Sequence, residues 1–236
     1  MAYYGRVVLR LSGGVFRNGS EAFDTERIER VTDELVRVAG RVELVVVVGG
    51  GNITRGRDLS SRFKLEPKLA DHVGMLATIT NACLINALVQ TKSAPSVVMS
   101  ALEVESLVPG CSVPSIQKFL KFKQPVFLGG GTGRSGVTTD TAAVRLAQAL
   151  RADILLKGTD VGGIFSADPK VDPDAEFIPE LNSDEFGRRG LIQIFDPIAI
   201  KELQIPLRVF NILSPGSLLA AISGQPIGSL LSPIAT

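Results

Sequence analysis

Four short runs of β-branched and aliphatic residues in this chain lead straight into glycines, and that coupling decides what it can fold into. Arg6 to Leu11 leads to Ser12-Gly13-Gly14, and Leu44 to Val48 leads to Gly49-Gly50-Gly51-Asn52. Gln124 to Leu128 ends in Gly129-Gly130-Gly131-Thr132-Gly133, and Asp153 to Lys157 in a turn through Gly158, Gly162 and Gly163. Leu44 to Val48 is apolar at every position, as a strand buried on both faces of a parallel sheet is. Between these runs the period changes. From about Asp24 to Ala39, residues Ile28, Val31, Leu35 and Val38 recur at helical steps, with Asp24 as N-cap and Gly40 as stop. A long helix of small and apolar residues is expected from Asp71 to Gln90, buried or at a subunit contact, and another from about Thr139 to Leu150. Ser96 to Met99, Leu207 to Asn211 and a final Gly-Ser-Leu-Leu segment read as strands, and Gly216 to Ile222 as a short helix. Strands alternating with helices predict an α/β fold on a mainly parallel sheet.

Composition narrows the function classes. The 236 residues carry 25 Lys+Arg against 24 Asp+Glu, so no basic excess points to nucleic acid as a partner. Two cysteines, Cys83 and Cys111, and one histidine, His72, are too few for a zinc site of about four Cys/His ligands. A disulfide scaffold is not expected at this size. His72 is read as structural or incidental. The start of the chain lacks the basic-then-apolar pattern of a signal peptide. The longest aliphatic run, Leu44 to Val48, is far shorter than the ~20 residues of a membrane helix. The expectation is a soluble, cytoplasmic protein with no membrane partner. No low-complexity linker divides residues 1–236, which are expected to form one domain.

Turns without Cβ atoms let backbone N–H groups converge on an anion, and a helix start adds a favourable dipole. Four of them beyond parallel strands predict phosphate binding at the carboxyl edge of the sheet. Two familiar motifs do not fit. Gly51 to Asp58 has P-loop spacing, but Arg57 and Asp58 replace the Lys and Ser/Thr that give that loop its chemistry. Gly131-Thr-Gly133-Arg-Ser-Gly136 satisfies the dinucleotide fingerprint, yet Asp153, at the spacing of the ribose-binding acid, begins its strand and falls at the wrong edge. Around the loops lie Arg10, Ser12, Arg55, Thr138, Thr139, Asp140, Thr159, Asp160 and Asp168, a set of cationic and hydroxyl donors with acids to orient them.

Taken in order, these segments resemble the bacterial uridylate kinases of the amino-acid kinase superfamily. The resemblance rests on VVVVGGGNITRG (45–56), DHVGMLATITNACLINAL (71–88), VVMSA (97–101), GGGTG (129–133) and TTDTAA (138–143). It continues through ADILLKGTDVGGIFSADPKVDPDA (152–175) and LRVFNILSPGSLLAAISG (207–224), so it covers nearly the whole chain. It implies a three-layer α/β/α sandwich with a central, mainly parallel sheet, and transfer of the γ-phosphate of MgATP to UMP. By position, Gly50, Asp71, Thr132, Gly133, Arg134, Ser135, Gly136, Val137, Thr138 and Thr139 look like the UMP site. Arg10, Leu11, Ser12, Gly13, Gly51, Arg55, Thr159, Phe165 and Asp168 look like the ATP side, with Arg10, Arg55, Asp140 and Asp196 near the reacting phosphates. The resemblance also implies an acceptor-binding and transfer half over about 1–150, an ATP half over about 151–236, a homohexamer, and GTP and UTP as effectors.

The acceptor is a phosphate oxygen whose second pKa is ~6, so no general base is needed and one histidine is no obstacle. The chain departs from the family pattern in three places. Arg10 replaces the lysine of a KLSGE-like motif, Arg134-Ser135-Gly136-Val137 replaces NPFF, and Gly162 replaces the aspartate of KVDG. These departures leave two alternatives to UMP phosphorylation: a family kinase with another acceptor, or a catalytically weakened nucleotide-binding regulator.

Overall fold

The computed structural model describes residues 4–191 and 194–234. The chain runs β1 (Arg6–Leu11), a 3-10 turn (Gly13–Phe16), α1 (Thr25–Val38), β2 (Glu43–Val48), α2 (Gly56–Phe63), α3 (Pro67–Thr91), β3 (Val97–Ser100) and α4 (Val113–Leu120). It continues through β4 (Val126–Gly129), α5 (Thr139–Ala149), β5 (Ile154–Thr159), β6 (Ile164–Phe165), β7 (Phe177–Ile178), β8 (Glu180–Asn182) and α6 (Ser183–Arg188). Last come α7 (Pro197–Lys201), β9 (Leu207–Asn211), α8 (Ser217–Ile222) and β10 (Ser229–Ser232).

The main sheet has the order β3-β4-β2-β1-β5-β9-β10-β8, and β6 pairs with β7 apart from it. From β3 to β9 every pairing is parallel; β10 runs antiparallel to β9. Strand side chains alternate between faces, and here both faces are covered. Val8, Val45, Val126, Leu155 and Val209 meet residues of α4 to α7, including Ile116, Val144, Phe186 and Ile200. Val7, Leu44, Phe127, Ile154 and Phe210 meet residues of α1, α3 and α8, including Leu35, Ile85 and Leu218. This is the expected three-layer sandwich with a central, mainly parallel sheet.

Asp24 caps α1 by accepting from the Arg27 N–H at 2.8 Å, and Gly40, at φ +76°, follows its end. Three boundaries shift for local reasons. The long helix starts at Pro67 instead of Asp71, because proline at the first turn has its φ preset and needs no N–H partner. β5 continues through Gly158 and Thr159, which pair with Phe210 and Asn211 of β9, so the fourth turn begins at Asp160. Gly216 precedes α8 as a cap with φ +80°. Both cysteines are free. Among the described residues one helix, α3, is long and apolar enough to cross a membrane, and half of that stretch is buried inside the fold.

A buried acid fastens α1 to the start of α8. Glu34, 3 % exposed, accepts from the backbone N–H groups of Gly216 (2.6 Å) and Leu218 (2.9 Å). Losing both charge-assisted bonds, Glu34→Ala should cost about 3 kcal/mol. Urea unfolding with an unchanged slope and a lower midpoint is the expected reading; an unmoved midpoint would contradict it.

Candidate nucleotide and phosphate-transfer site

β4, β2, β1 and β5 are adjacent and parallel, so the four glycine turns emerge at one edge of the sheet. The chain turns to opposite sides of β1, to β2 and then to β5, and such a switch point opens a crevice for ligands. The parallel register places Arg10 beside Lys157 across that junction. Each lies two residues beyond a core residue of the α5 face, Val8 and Leu155, and so shares that face and points toward the start of α5. There Asp140, in the first turn of the helix, meets them. Arg10 Nε lies 2.6 Å from Asp140 Oδ1, and Lys157 Nζ donates to both Asp140 oxygens at 3.2 and 3.0 Å. The Asp196 N–H adds a third donor at 3.2 Å. Lys157 also donates to the Ile194 carbonyl and lies 4.6 Å from the centre of the Phe195 ring.

Burial opposes ionisation of Asp140, but Lys157 and Arg10 outweigh it and hold its carboxyl below the usual carboxylate range. Burial brings the Lys157 ammonium down to about 8, with Asp140 opposing the fall and Arg10 and Arg55 adding to it. Arg10 is not fully used. Its contact with Asp140 is short but off the N–H direction, and buried Nε and Nη1 have no hydrogen-bond partner. Nη1 lies against Gly49, and the Arg55 guanidinium lies over Gly51. Arg10 and Arg55 therefore lie against the second glycine turn, with Lys157 and the Asp140 carboxylate beside Arg10. The first two turns are in contact: a Cβ added at Gly13 would collide with the Gly51 nitrogen.

The third turn joins α3. Asp71 Oδ2 accepts from Ser135 Oγ at 2.6 Å and from the Gly136 N–H at 2.8 Å. A cleft of about 310 Å³ lined by Gly56, Arg57, Ser60, Ser61, Pro67 and Asp71 opens beside it. Gly50 packs against Ala77 and Thr78 of α3. Thr132 Oγ1 accepts from the Arg134 N–H at 3.3 Å, while the Arg134 side chain is exposed. Gly133 and Gly136 have φ of +71° and +76°, the left-handed region that glycine enters freely. Val137 and Thr139 are half-buried beside Thr138. Thr138 caps α5 and donates to Asp196 Oδ2 at 2.6 Å, and Asp196 Oδ1 caps α7 through the Ile198 N–H at 2.9 Å. Asp196 thus binds hydroxyls and a helix start, with its backbone reaching Asp140; no cation pairs with it among the described residues.

On the other side of β1, Ser12 donates its N–H to the Gly158 carbonyl. The Leu11 side chain is wholly buried in the core, which leaves only its backbone facing the turns. Thr159 is buried at the end of β5. Phe165 stacks edge-on against Phe177 at 5.4 Å. Asp168 closes its own loop on the Lys170 N–H at 3.0 Å, and Asp160 pairs with Lys170 at 2.5 Å. Asp153 is at the opposite edge, accepting from the Gly5 and Arg6 N–H groups, as its position before the strand predicts. His72 is exposed on α3.

Sequence reading missed Lys157, Thr78 and Asn81. A lone lysine closing an apolar strand reads as a solvated end; only its register opposite Arg10 reveals it. Thr78 and Asn81 lie within an apolar helix, where a polar residue at core spacing is the available signal.

A sequence profile of the amino acid kinase family matches residues 5–211. The uridylate kinase of Stutzerimonas stutzeri (strain A1501) is 37 % identical over 234 residues, spanning 97 % of this chain and 94 % of that protein. The crystal structure of UMP kinase from Bacillus anthracis superposes with a TM-score of 0.90 at 30 % identity, covering 98 % of this chain and 97 % of that one. That of UMP kinase from Ureaplasma parvum gives 0.87 at 27 % identity, covering 98 % and 100 %. With its sheet order, glycine turns and near-complete coverage by these relatives, the chain belongs to the amino acid kinase family, among the uridylate kinases.

Proposed function

We propose that the chain transfers the γ-phosphate of ATP to UMP, giving UDP and ADP. One observation carries this reading: Arg10 and Arg55 lie against two touching glycine turns, with Lys157 beside Arg10, and the buried Arg10 Nη1 has no hydrogen-bond partner. Buried, unpartnered guanidinium nitrogens are expensive unless an anion completes them. Phosphoryl transfer needs positioning and neutralisation of charge on the moving group rather than a base. Arg10, Arg55 and the N–H groups of the first two turns would face the transferring phosphoryl group. Asp140 would hold Arg10 and Lys157 at their spacing, and Asp196, through Thr138 and the Asp140 contact, would position the start of α5.

Residues 1–150 would supply the acceptor and transfer site, with UMP between Gly50, Asp71 and Thr132 to Thr139. Residues 151–236 would hold the adenine nucleotide near Thr159, Phe165 and Asp168. Among the described residues no three His, Cys, Asp or Glu side chains are grouped to hold a metal ion, and Asp140 is occupied by cations. This donor set fits magnesium carried on the phosphates of ATP, where it keeps much of its water shell. When bound it neutralises charge on those phosphates. Leu69, Val73 and Leu76 form an exposed apolar stripe on α3, continued by Phe63 and Leu65, which supports a homo-oligomer such as the hexamer the family resemblance implies. GTP and UTP as effectors, and a cytoplasmic location, remain part of the same reading.

ADP release measured with ATP and a panel of nucleoside monophosphates, carbamate and amino acids tests the assignment. UMP-dependent release is expected; release driven by another acceptor, or nucleotide binding without turnover, would refute it.

A pH profile tests the cation cluster. Burial brings the Lys157 ammonium down to about 8 in the fold, against 10.5 for an ordinary lysine. Across that window the unfolded chain holds the extra proton, so this group favours folding as pH rises. Turnover should nevertheless fall as pH passes about 8, because a positive charge leaves the site. Lys157→Arg, which stays charged, should extend activity to higher pH. An alkaline limb that is the same in both proteins would exclude Lys157 as its origin.

A further inference from the structure

The core face of α3 carries polar residues that the phosphate site does not explain by itself. Asp71, Thr78 and Asn81 are seven and three residues apart, so they share one side of the helix. Each reaches a different part of the glycine-turn edge. Asp71 holds Ser135 and Gly136, and Thr78 Oγ1 accepts from the Gly130 N–H at 2.7 Å. Asn81, 1 % exposed, donates through Nδ2 to the Gly49 carbonyl at 2.7 Å and to Asn52 Oδ1 at 2.6 Å. Asn52 returns a bond from its own Nδ2 to Asn81 Oδ1 at 3.2 Å and ties the turn to the Ala22 carbonyl at 3.0 Å. The reciprocal amide pair thus brackets Gly49 to Asn52, the turn against which Gly13, Arg10 and Arg55 all pack.

Two buried amides that satisfy each other add little net stability over an apolar pair of the same shape. What they supply is a single geometry, since an apolar pair would leave the Gly49 carbonyl unbound and the turn free to rotate. We propose that Asn81 and Asn52 are a positioning pair. They hold the second glycine turn in the conformation that aligns its N–H groups and Arg10 for phosphoryl transfer, without touching either nucleotide. The inference rests on the kinase reading, because alignment matters only where a group is transferred.

The test compares Asn81→Leu, Asn52→Leu and the double variant with Asn86→Leu. Asn86 is also buried on α3, at 7 % exposure, but it accepts from Ser96 at 2.9 Å beside the start of β3, at the opposite edge of the sheet. A misplacement of about 1 Å costs on the order of 100-fold in rate. Turnover at saturating ATP and UMP should therefore fall about 10- to 100-fold in either single variant, with KM values within about threefold. The double variant should be no worse than the weaker single, since the pair acts as a unit. Asn86→Leu should lose stability but keep turnover within about twofold. Asn81→Asp, which removes the donors at nearly constant volume, should reproduce the loss if the leucine variant fails to fold.

Amide hydrogen exchange over residues 45–56 gives a readout independent of the acceptor. It should quicken about tenfold in Asn81→Leu or Asn81→Asp and stay unchanged in Asn86→Leu. A folded Asn81 variant with parental turnover, or a loss matched by Asn86→Leu, overturns the proposal. If the parent releases no ADP with UMP, the kinase reading fails separately; exchange then decides whether the pair holds the turn, and unchanged exchange overturns that as well.

Discussion

Replacing Asp140 by alanine should remove about 3–5 kcal/mol of stability, because it leaves Arg10 and Lys157 buried side by side without their shared counter-charge. Domains of this kind are stable by only about 5–15 kcal/mol in total, so the variant should unfold at much lower urea and be nearly inactive. Asp140→Asn separates the two roles. It keeps the shape and an acceptor for Lys157 and for the Asp196 N–H, but not the charge that favours the Lys157 ammonium. The parent carries a matching acid signature. Folding lowers the Asp140 pKa below 3.8, so its contribution is whole at neutral pH and is lost as pH falls through the folded value. Denaturation midpoints of both variants that match the parent's would show that the cations need no shared carboxylate.

Arg10→Ala should lower turnover by roughly 10²–10³, the range seen when one preorganised donor to developing charge is removed. The affinity for ATP should change much less, since the loss is confined to the transferring group. Its place supports this expectation: Arg10 is 14 % exposed, its Nη1 lies against Gly49, and that buried nitrogen has no hydrogen-bond partner. Arg10→Lys restores a point charge but not the planar fork, and it should recover most of the turnover if charge is what matters. Steady-state kinetics with ATP and UMP decide between these outcomes. Unchanged turnover in Arg10→Ala would take Arg10 out of the chemistry.

The two alternatives raised by Arg10 and residues 134–137 are not favoured by relatives such as the one that carries the uridylate kinase name at 37 % identity over almost its whole length. Local pattern made most of the scaffold readable. The core strands, α1 with its Asp24 cap, and α5 are set by short-range periodicity and capping, and their ends fall within about two residues of where the sequence puts them. The helices α2, α4, α6 and α7 were not read, though two of them announce themselves. Asn182 and Glu185 form a capping box before α6, and Ser112 caps α4 with Pro114 in its first turn. Helices of five to eight residues are marginal by themselves and depend on the surface they pack against. β8 was invisible for another reason: its partner β10 lies some 50 residues away, and no turn connects the pair.

The sequence alone determined that glycine turns follow parallel strands and face one edge, since a short, continuous apolar run ending in residues without Cβ reads as a strand buried on both faces. It also determined which cations and hydroxyls lie near those turns in the chain. Which of them meet depends on strand register and on where each helix begins over the sheet. Lys157 joins Arg10 through strand register, Asp140 reaches both because α5 begins above that junction, and Asn81 grips Gly49 and Asn52 across the sheet face. Those contacts join residues far apart in the chain. Their cost in closing long loops is met by burial of the whole core rather than by any local preference, so no window of sequence contains them.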